Sequence, residues 1–271
     1  MTDLNPQAKQ MADESMVRTL SAQARAIWPQ EEPLLRRQTL PPGARILDAG
    51  CGTGEASGRL AEAFPQATVL GVDIVDAHLE LARTRHAPLG ARVAFEHRSV
   101  YQLGLPDAAF DLTVCRHVIH AIPHPEQVLA ELARVTRPGG VVHVIAEDYG
   151  MLHFQAGALR EFWYRTPEAA ATATGTDMFS GRDAFTLGLA PGLGLEAITV
   201  DYVVVDTVRV PRETFAAILE AWKDGYVEPL SQWTGQPPAE VAQAFDQMVA
   251  TIRDPRGYAA WMVPVVRATV P

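Results

Sequence analysis

The sequence predicts an α/β fold with a doubly wound, mostly parallel sheet of seven strands and helices on both faces. From Arg45 onward, short apolar segments alternate with segments of helical periodicity. Most apolar segments are continuous rather than alternating, a pattern typical of strands that are covered on both faces of a parallel sheet. Regular alternation of strands and helices is the arrangement that builds such a sheet.

Five strands and three helices are predicted up to residue 146. The strands cover 46–49, 69–72, 93–96, 110–115 and 141–146, and the helices cover 55–64, 76–85 and 125–136. The third helix begins with Pro125 and Glu126, two residue types favoured in a first turn. The segment 137–140, Arg-Pro-Gly-Gly, is expected to end it. Two further strands are predicted at 195–206 and 258–268.

The N-terminal region, residues 1–40, is predicted to be a helical arm or lid rather than part of the core. Its apolar residues lie at helical intervals, and Pro29, Pro33 and the pair Pro41-Pro42 then break the pattern. Residues 41–150 are expected to form the α/β core with its ligand site. Residues 151–271 would complete the sheet.

The C-terminal part also has long helical segments. Aromatic residues are concentrated at 151–180 and 208–256, and the sheet alone would leave a bound ligand open to water. These two segments are therefore expected to be helical insertions that cover the substrate. The segment 208–256 could instead form a homodimer contact.

Composition narrows the class of partner. The chain has 271 residues, 48% of them hydrophobic, and a net charge of -9. This acidic balance, without a basic stripe, argues against nucleic acid as a partner. Two cysteines are too few for a disulfide framework. No signal pattern and no apolar run long enough for a membrane span are present, so a cytoplasmic protein without a membrane partner is expected.

A glycine-rich turn follows the first predicted strand in the segment 46–54, Ile-Leu-Asp-Ala-Gly-Cys-Gly-Thr-Gly. Glycine lets the chain turn sharply and lets a ligand approach bare backbone. The N–H groups at the start of the next helix suit a carboxylate or phosphate. Asp73 ends the second strand, where a carboxylate can accept both hydroxyls of a ribose. The pattern indicates a site for an adenosine-containing cofactor.

The spacing of the glycines bears on which cofactor binds. The dinucleotide fingerprint G-x-G-x-x-G requires its third glycine at position 55, where the chain has Glu55. The third glycine is Gly54 instead, and a glutamate in the first helical turn would repel a pyrophosphate. A phosphate-binding P-loop would need a lysine, and none is nearby. An oxidoreductase with a nicotinamide dinucleotide is therefore the weaker alternative.

Three segments together resemble a known family. The glycine turn at 46–54 looks like motif I of the class I S-adenosylmethionine-dependent methyltransferases, which have a Rossmann-like fold. The segments 110–120 and 130–140 are similar to the small-molecule branch of that family, the type 11 or UbiE-like group. The resemblance covers roughly residues 40 to 148. It implies S-adenosyl-L-methionine as cofactor and S-adenosyl-L-homocysteine as product.

The resemblance implies which residues hold the methionine end of the cofactor. Gly50, Gly52 and the backbone around Cys51 would pass beside the methionine part. Asp48 would help to hold its ammonium group through water or backbone. Arg116, directly after the fourth strand, would offer its carbonyl to the same ammonium.

The adenosine end has its own implied contacts. Asp73 would bind the ribose and Ile74 would pack on the adenine. The family often has an aspartate where this chain has Ser99, so the side-chain contact with the adenine amino group is in doubt there. The backbone N–H of Val100 could still reach the ring.

The expected reaction is in-line transfer of the sulfonium methyl group to a carbon, nitrogen or oxygen atom of a small molecule. An amine or acidic carbon as acceptor would need a base. His120, Asp148 and His153 are the candidates. A non-catalytic S-adenosylmethionine-binding module is an alternative. A methyltransferase acting on protein or nucleic acid is another, although the Asn/Asp-Pro-Pro-Tyr/Phe motif is absent after the fourth strand.

Several residues near the carboxyl edge of the sheet are candidates for the substrate pocket. Glu147-Asp148-Tyr149 ends the fifth strand, at the edge where open α/β sheets bind ligands. The residues proposed to line the pocket are His117, Tyr149, Phe154 and Trp163. Three histidines, His117, His120 and His124, lie close enough to suggest a metal. No metal is predicted, because no cysteine or carboxylate joins them at the usual ligand spacings.

Overall fold

The computed structural model describes residues 8–155, 157–190 and 192–271. The helices are α1 (Ala8–Met11), α2 (Glu14–Leu35), α3 (Glu55–Ala63), α4 (Asp76–His86), α5 (Pro125–Val135), α6 (Gly157–Thr174), α7 (Ser180–Gly188), α8 (Arg212–Thr234) and α9 (Pro238–Arg253). The strands are β1 (Arg45–Ala49), β2 (Thr68–Asp73), β3 (Val93–His97), β4 (Phe110–Arg116), β5 (Thr136–Ile145), β6 (Leu152–Phe154), β7 (Glu196–Asp206) and β8 (Ala259–Thr269). Within these ranges, no helix combines the length and apolar character that crossing a bilayer requires.

One mostly parallel sheet contains all of these strands, in the order β3-β2-β1-β4-β5-β8-β6 with β7 also paired to β8. The strands from β3 to β5 are parallel, and β8 is antiparallel to its neighbours. Thr269 of β8 pairs with both Val141 and Glu196, so β5 and β7 flank β8 on opposite sides. The short β6 continues the β5 side, because Trp261 pairs with both Leu152 and Val205. The predicted doubly wound α/β fold is confirmed.

The order of strands creates the site. From β1 the chain progresses outward through β2 and β3, and it then returns to place β4 on the other side of β1. Crossovers in opposite directions leave a crevice at the carboxyl ends of β1 and β4, where open α/β sheets bind ligands. The glycine turn follows β1, and the loop that contains His117 follows β4.

Both faces of the central strands are buried, as their continuous apolar sequences predict. On one face Ile46 and Leu112 pack with Leu60 of α3. On the other face Leu47 and Cys115 share a cluster with α5. A third cluster joins α2, α6, α8 and α9 to β6, β7 and β8, and its fully buried residues include Phe215 and Trp261.

The structure corrects several predicted boundaries. The strands predicted at 195–206 and 258–268 are confirmed as β7 and β8. In the helical insertion predicted at 151–180, the helix begins only at Gly157, because β6 first pairs with β8. The helix α7 was not predicted. The strand β5 already begins at Thr136, so the Arg-Pro-Gly-Gly segment lies within it rather than in a separate turn.

The helix α2 runs through two prolines that were expected to end it. Pro29 and Pro33 both lie inside its 22 residues. A proline in a helix interior costs about 3 kcal/mol, so packing must compensate. Ile27 and Leu35 are buried in two different core clusters. The C-terminal half of α2 therefore packs against the core, and its N-terminal half lies over the glycine turn.

We expect Ile27→Ala to lower the free energy of unfolding by about 2–5 kcal/mol, because it leaves a cavity in a packed core. Ile27 has no exposed surface. Leu81→Ala is the matched control, since Leu81 lies on α4 with 44% of its surface exposed. Its effect should remain below about 0.5 kcal/mol. Chemical denaturation measures both, and equally small effects would contradict the placement of α2 in the core.

Candidate functional site

The glycines of the turn have backbone conformations that only glycine adopts easily. Gly50, Gly52 and Gly54 have φ angles of +74°, +52° and +75°. A Cβ atom on Gly52 would lie 2.7 Å from Leu20 Cδ1 of α2, and one on Gly50 would overlap Val118. The N–H of Gly50 donates to the carbonyl of Val72 at 2.8 Å, which anchors the turn to β2. Sequence and packing therefore both require glycine here.

Asp73 faces this turn from the end of β2. Its Oδ2 accepts a hydrogen bond from the N–H of Gly52 at 2.7 Å, and its Oδ1 accepts one from the N–H of Val75 at 2.9 Å. An ionised carboxylate has about four acceptor positions, so two remain for hydroxyl groups of a ligand. Asp73 is only partly buried and lies on the wall of a cleft.

The cleft measures about 430 Å³. This volume is within the range of small-molecule sites. Seven residues predicted to bind the cofactor lie on its wall: Gly50, Gly52, Asp73, Ile74, Ser99, Val100 and Arg116.

The other two residues predicted to bind the cofactor, Asp48 and Cys51, do not lie on the wall of the cleft. Asp48 is buried beneath the turn, where its Oδ2 accepts the hydroxyl of Ser57 at 2.6 Å. Burial raises the pKa of Asp48 to about 6. Cys51 is buried, and its Sγ lies 3.7 Å from the carbonyl of Gly52.

The side chain of Arg116 makes a buried ion pair with α2. Its Nε donates to Glu31 Oε1 at 2.9 Å, and its Nη2 lies 2.8 Å from Oε2. His143 Nε2 lies 3.1 Å from the same Glu31 Oε1. Burial alone would raise the pKa of Glu31, but Arg116 and His143 outweigh it and lower the pKa to about 2. The pair fixes α2 to β4 and β5 beside the cleft.

A second, smaller cavity of about 90 Å³ adjoins the cleft and is called the chamber below. Its wall combines side chains of α2, α6, α8 and the loops after β4 and β5. Aromatic rings dominate it: Tyr149, Trp163, Trp222, Tyr226, Trp233 and Phe245. Tyr149 stacks on Trp163 with ring centroids 5.5 Å apart, and Trp222 meets Trp163 edge-on at 6.0 Å. This wall is mostly apolar.

Four residues line both the cleft and the chamber. Met11, Met16 and Leu20 cover the junction from the N-terminal helices, and His117 stands between the two cavities from the β4 side. The backbone of His117 has φ of +59°. Left-handed conformations are uncommon for residues other than glycine and concentrate at functional sites. A group bound in the cleft and one bound in the chamber would meet beside this side chain.

Glu147 is the buried charge of the chamber. Its Oε1 accepts hydrogen bonds from Gln23 Nε2 at 3.1 Å and from His117 Nδ1 at 2.6 Å. Its Oε2 lies 3.6 Å from His120 Nε2. Burial would raise the pKa of Glu147, but the two histidines outweigh it and lower the pKa to about 2. Burial also lowers the pKa of His120, which favours its neutral form.

The contact with Glu147 fixes the tautomer of a neutral His117. A carboxylate only accepts, so the proton lies on Nδ1 and the lone pair lies on Nε2. The Nε2 atom is buried and has no hydrogen-bond partner in the described part of the chain. A carboxylate that orients an imidazole with one free nitrogen is an arrangement suited to removing a proton.

Three predicted site residues do not reach the chamber. Asp148 is buried under an ion pair with Arg182, whose Nε lies 2.7 Å from Oδ2. His153 points to the exposed side of β6, beside Tyr258, and Phe154 is fully buried in the core. Neighbouring side chains of a strand point to opposite faces of the sheet, so His153 and Phe154 lie on opposite sides of β6. His117, His120, Tyr149 and Trp163 are brought together at the chamber as expected.

Sequence reasoning did not single out Gln23. It placed Glu147 with Asp148 and Tyr149 at the ligand-binding edge of the sheet and Trp222 in a segment covering the substrate, without a separate role for either. Glu147 was part of the acidic end of the fifth strand, but Asp148 was named as the candidate base. Glu147 directly follows a continuous apolar run. That run could have indicated that the side chain of Glu147 is buried. Gln23 lies 124 positions away from Glu147 in the sequence, and no local pattern links the two.

Residues 46–140 match the family model described as a methyltransferase domain. The trans-aconitate 2-methyltransferase of Deinococcus radiodurans is 39% identical over 103 residues, which cover 38% of this chain and 38% of that protein. The corresponding protein of Methylobacterium nodulans is 34% identical over 157 residues, covering 56% of this chain and 59% of that protein. The chain thus spans between 38% and 59% of the length of these two relatives.

Solved structures show the same fold. Phosphoethanolamine N-methyltransferase 2 of Haemonchus contortus, in complex with S-adenosyl-L-methionine, superposes with a TM-score of 0.57. The superposition covers 90% of this chain and 53% of that one, at 18% identity. Such low identity is evidence for the fold alone. Residues 46–140 thus match a methyltransferase domain, and the chain shares its fold with a solved S-adenosyl-L-methionine-bound methyltransferase.

Proposed function

We propose that the protein transfers the methyl group of S-adenosyl-L-methionine to a small molecule bound in the chamber. The observation that carries this proposal is the junction of the two cavities at His117. A cofactor in the cleft can direct its methyl group toward the chamber there. The apolar covering of the chamber keeps water from the reacting atoms, and the protein supplies alignment while the cofactor supplies the chemistry.

The cofactor would lie across the carboxyl ends of β1, β2 and β4. Asp73 would accept the ribose hydroxyls with its two remaining acceptor positions, and Ile74 and Val100 would contact the adenine. Ser99 is on the wall of the cleft and can offer a hydroxyl there. Asp48 would act through its negative charge beneath the turn rather than by contact, because it does not reach the wall.

The N-terminal helices and the helical insertions form the proposed substrate cover. Met16 and Gln23 of α2 contribute to the chamber, as do Trp163 of α6 and Trp222 of α8. The division into an arm at 1–40, a core at 41–150 and covering insertions in 151–271 is a proposal on this basis. Residues 1–7 lie outside the described part of the chain.

The acceptor of the sequence relatives is not carried over to this chain. Trans-aconitate is a polycarboxylate, and such a ligand needs cationic partners. No lysine or arginine is among the described residues that line the chamber, which instead contains the Glu147 carboxylate. The dinucleotide-dependent alternative is not supported, and a non-catalytic binding module would bind the cofactor without transfer to any acceptor.

His117 is the proposed base, oriented by Glu147. Its free Nε2 stands at the junction, where the acceptor would lose a proton as it attacks the methyl group. His120 is the second histidine of the chamber, but its Nε2 faces the Glu147 carboxylate. The role proposed from the sequence for His120 is thereby moved to His117.

Replacing Asp73 tests the cofactor site. We expect Asp73→Ala to weaken binding of S-adenosylhomocysteine by about ten- to a hundredfold, since hydrogen bonds to a charged group contribute about 1.5–3 kcal/mol. Calorimetric titration measures the affinity. Asp107→Ala is the control, because Asp107 is exposed on the protein surface and distant from the cleft wall. Unchanged affinity in Asp73→Ala would contradict the proposed cofactor site.

Asp48 gives a pH-dependent prediction. Burial raises the pKa of Asp48 in the folded protein to about 6, above the ordinary value of an aspartate. The folded state therefore binds more protons, and stability is lost as the pH rises from about 4 to 6. Asp48→Asn should raise the free energy of unfolding by on the order of 3 kcal/mol at pH 7.5 and by much less at pH 4. Denaturation at both pH values is the measurement, and an equal gain at both would contradict the buried charge.

Replacing His117 tests the base. We expect His117→Ala to lower turnover by about 10²–10⁴-fold while S-adenosylhomocysteine still binds. The assay follows a mass gain of one methylene in a pool of small-molecule acceptors. His124→Asn is the matched control, because His124 is an exposed histidine with a similar left-handed backbone. A larger loss in His120→Ala than in His117→Ala would return the role to His120.

A further inference from the structure

The wall of the chamber carries negative charge. Its wall includes the ionised Glu147 and two histidines, and no lysine or arginine is among the described residues on it. An anionic acceptor would leave water beside a buried carboxylate without a compensating cation, which is strongly unfavourable. A cationic acceptor would instead offset the charge of Glu147.

The aromatic side chains of the chamber wall also favour a cationic ligand. The faces of tryptophan and tyrosine rings carry negative electrostatic potential, and cations are attracted to them, most strongly to tryptophan. Trp163, Trp222 and Trp233 all line the chamber, together with Tyr149 beside Glu147. The attraction is larger in desolvated sites, and Trp163 and Trp222 are both buried.

Unpartnered polar atoms indicate where a ligand would bind. His117 Nε2 and Thr166 Oγ1 are buried on the chamber wall and lack hydrogen-bond partners in the described ranges. Buried polar groups almost always have partners, so these atoms are places for a ligand. His117 Nε2 is an acceptor in the proposed state, and the hydroxyl of Thr166 can accept as well, so a ligand that donates N–H or O–H groups would satisfy both atoms.

We infer that the acceptor is a small amine, which binds as its ammonium ion between the Glu147 carboxylate and the tryptophan faces. This inference rests on the proposed methyl transfer, and it names the class of acceptor. The chamber volume of about 90 Å³ limits the part of the acceptor that enters to a small group. A cation here must approach the sulfonium of the cofactor, and Glu147 reduces that repulsion.

The reaction balances with the residues present. The ammonium ion gives one proton to Nε2 of neutral His117, which leaves an amine with a free electron pair and an imidazolium beside Glu147. The nitrogen attacks the methyl carbon, the carbon–sulfur bond breaks, and its electron pair remains on the sulfur of S-adenosylhomocysteine. The methylated product is again a cation, and His117 later releases its proton to water.

The test compares three probes that share a compact trimethyl head group and differ in charge. Choline carries a permanent ammonium and has no N–H to lose, 3,3-dimethylbutan-1-ol is its uncharged isostere, and 3,3-dimethylbutanoate carries the opposite charge. Titration calorimetry of the wild-type protein with saturating S-adenosylhomocysteine should give choline a Kd at least tenfold lower than that of the alcohol, with no binding of the carboxylate. Quenching of tryptophan fluorescence would report binding at the chamber.

Glu147→Gln keeps the hydrogen-bond acceptor for Gln23 and His117 but removes the charge. It should abolish the preference for choline over the alcohol, and Glu126→Gln, an exposed surface variant, should retain it. Equal binding of choline and the alcohol by the wild type, tighter binding of the carboxylate, or a preference that persists in Glu147→Gln would overturn the inference. So would binding of none of the three probes. Binding of S-adenosylhomocysteine, measured first, separates these results from failure of the proposed function.

Discussion

The ion pair between Glu31 and Arg116 is the constraint on which the site depends. It is buried, and it joins α2 to the sheet at β4 with His143 as a third partner. Removing one partner of such a pair leaves an uncompensated buried charge, which costs several kcal/mol. The pair therefore fixes the register of α2 over the sheet. With α2 in place, Leu20 meets the glycine turn and Gln23 reaches Glu147, so one helix completes both cavities.

Negatively charged side chains lie at both ends of the site. Asp73 and Asp48 place negative charge near the cofactor end of the site, and Glu147 places it at the acceptor end. His117 lies between them and contacts Glu147 through one nitrogen only.

Much of the fold was readable from local sequence. Continuous apolar runs indicate buried strands. Glycines indicate a turn with left-handed backbone. The positions of Gly50, Gly52 and Asp73 in the fold could therefore be predicted from the sequence. The chamber could not be predicted in the same way. Arg116 and Glu31 are 85 positions apart, and their pairing follows from the docking of α2, which depends on tertiary packing that overrides Pro29 and Pro33. The direction of His153 and Phe154 likewise depends on the unpredicted pairing of β6.

The position of Cys51 has a consequence for the chemistry. This thiol belongs to the turn beneath the proposed methyl donor, and a thiolate is among the strongest biological nucleophiles. Burial and the neighbouring Asp48 raise the pKa of Cys51 well above its usual value, so the sulfur stays protonated. A sulfonium cofactor is an alkylating agent, and an exposed thiolate at this position would consume it. In the proposed methyl transfer, burial of Cys51 would protect the protein from methylation by its own cofactor.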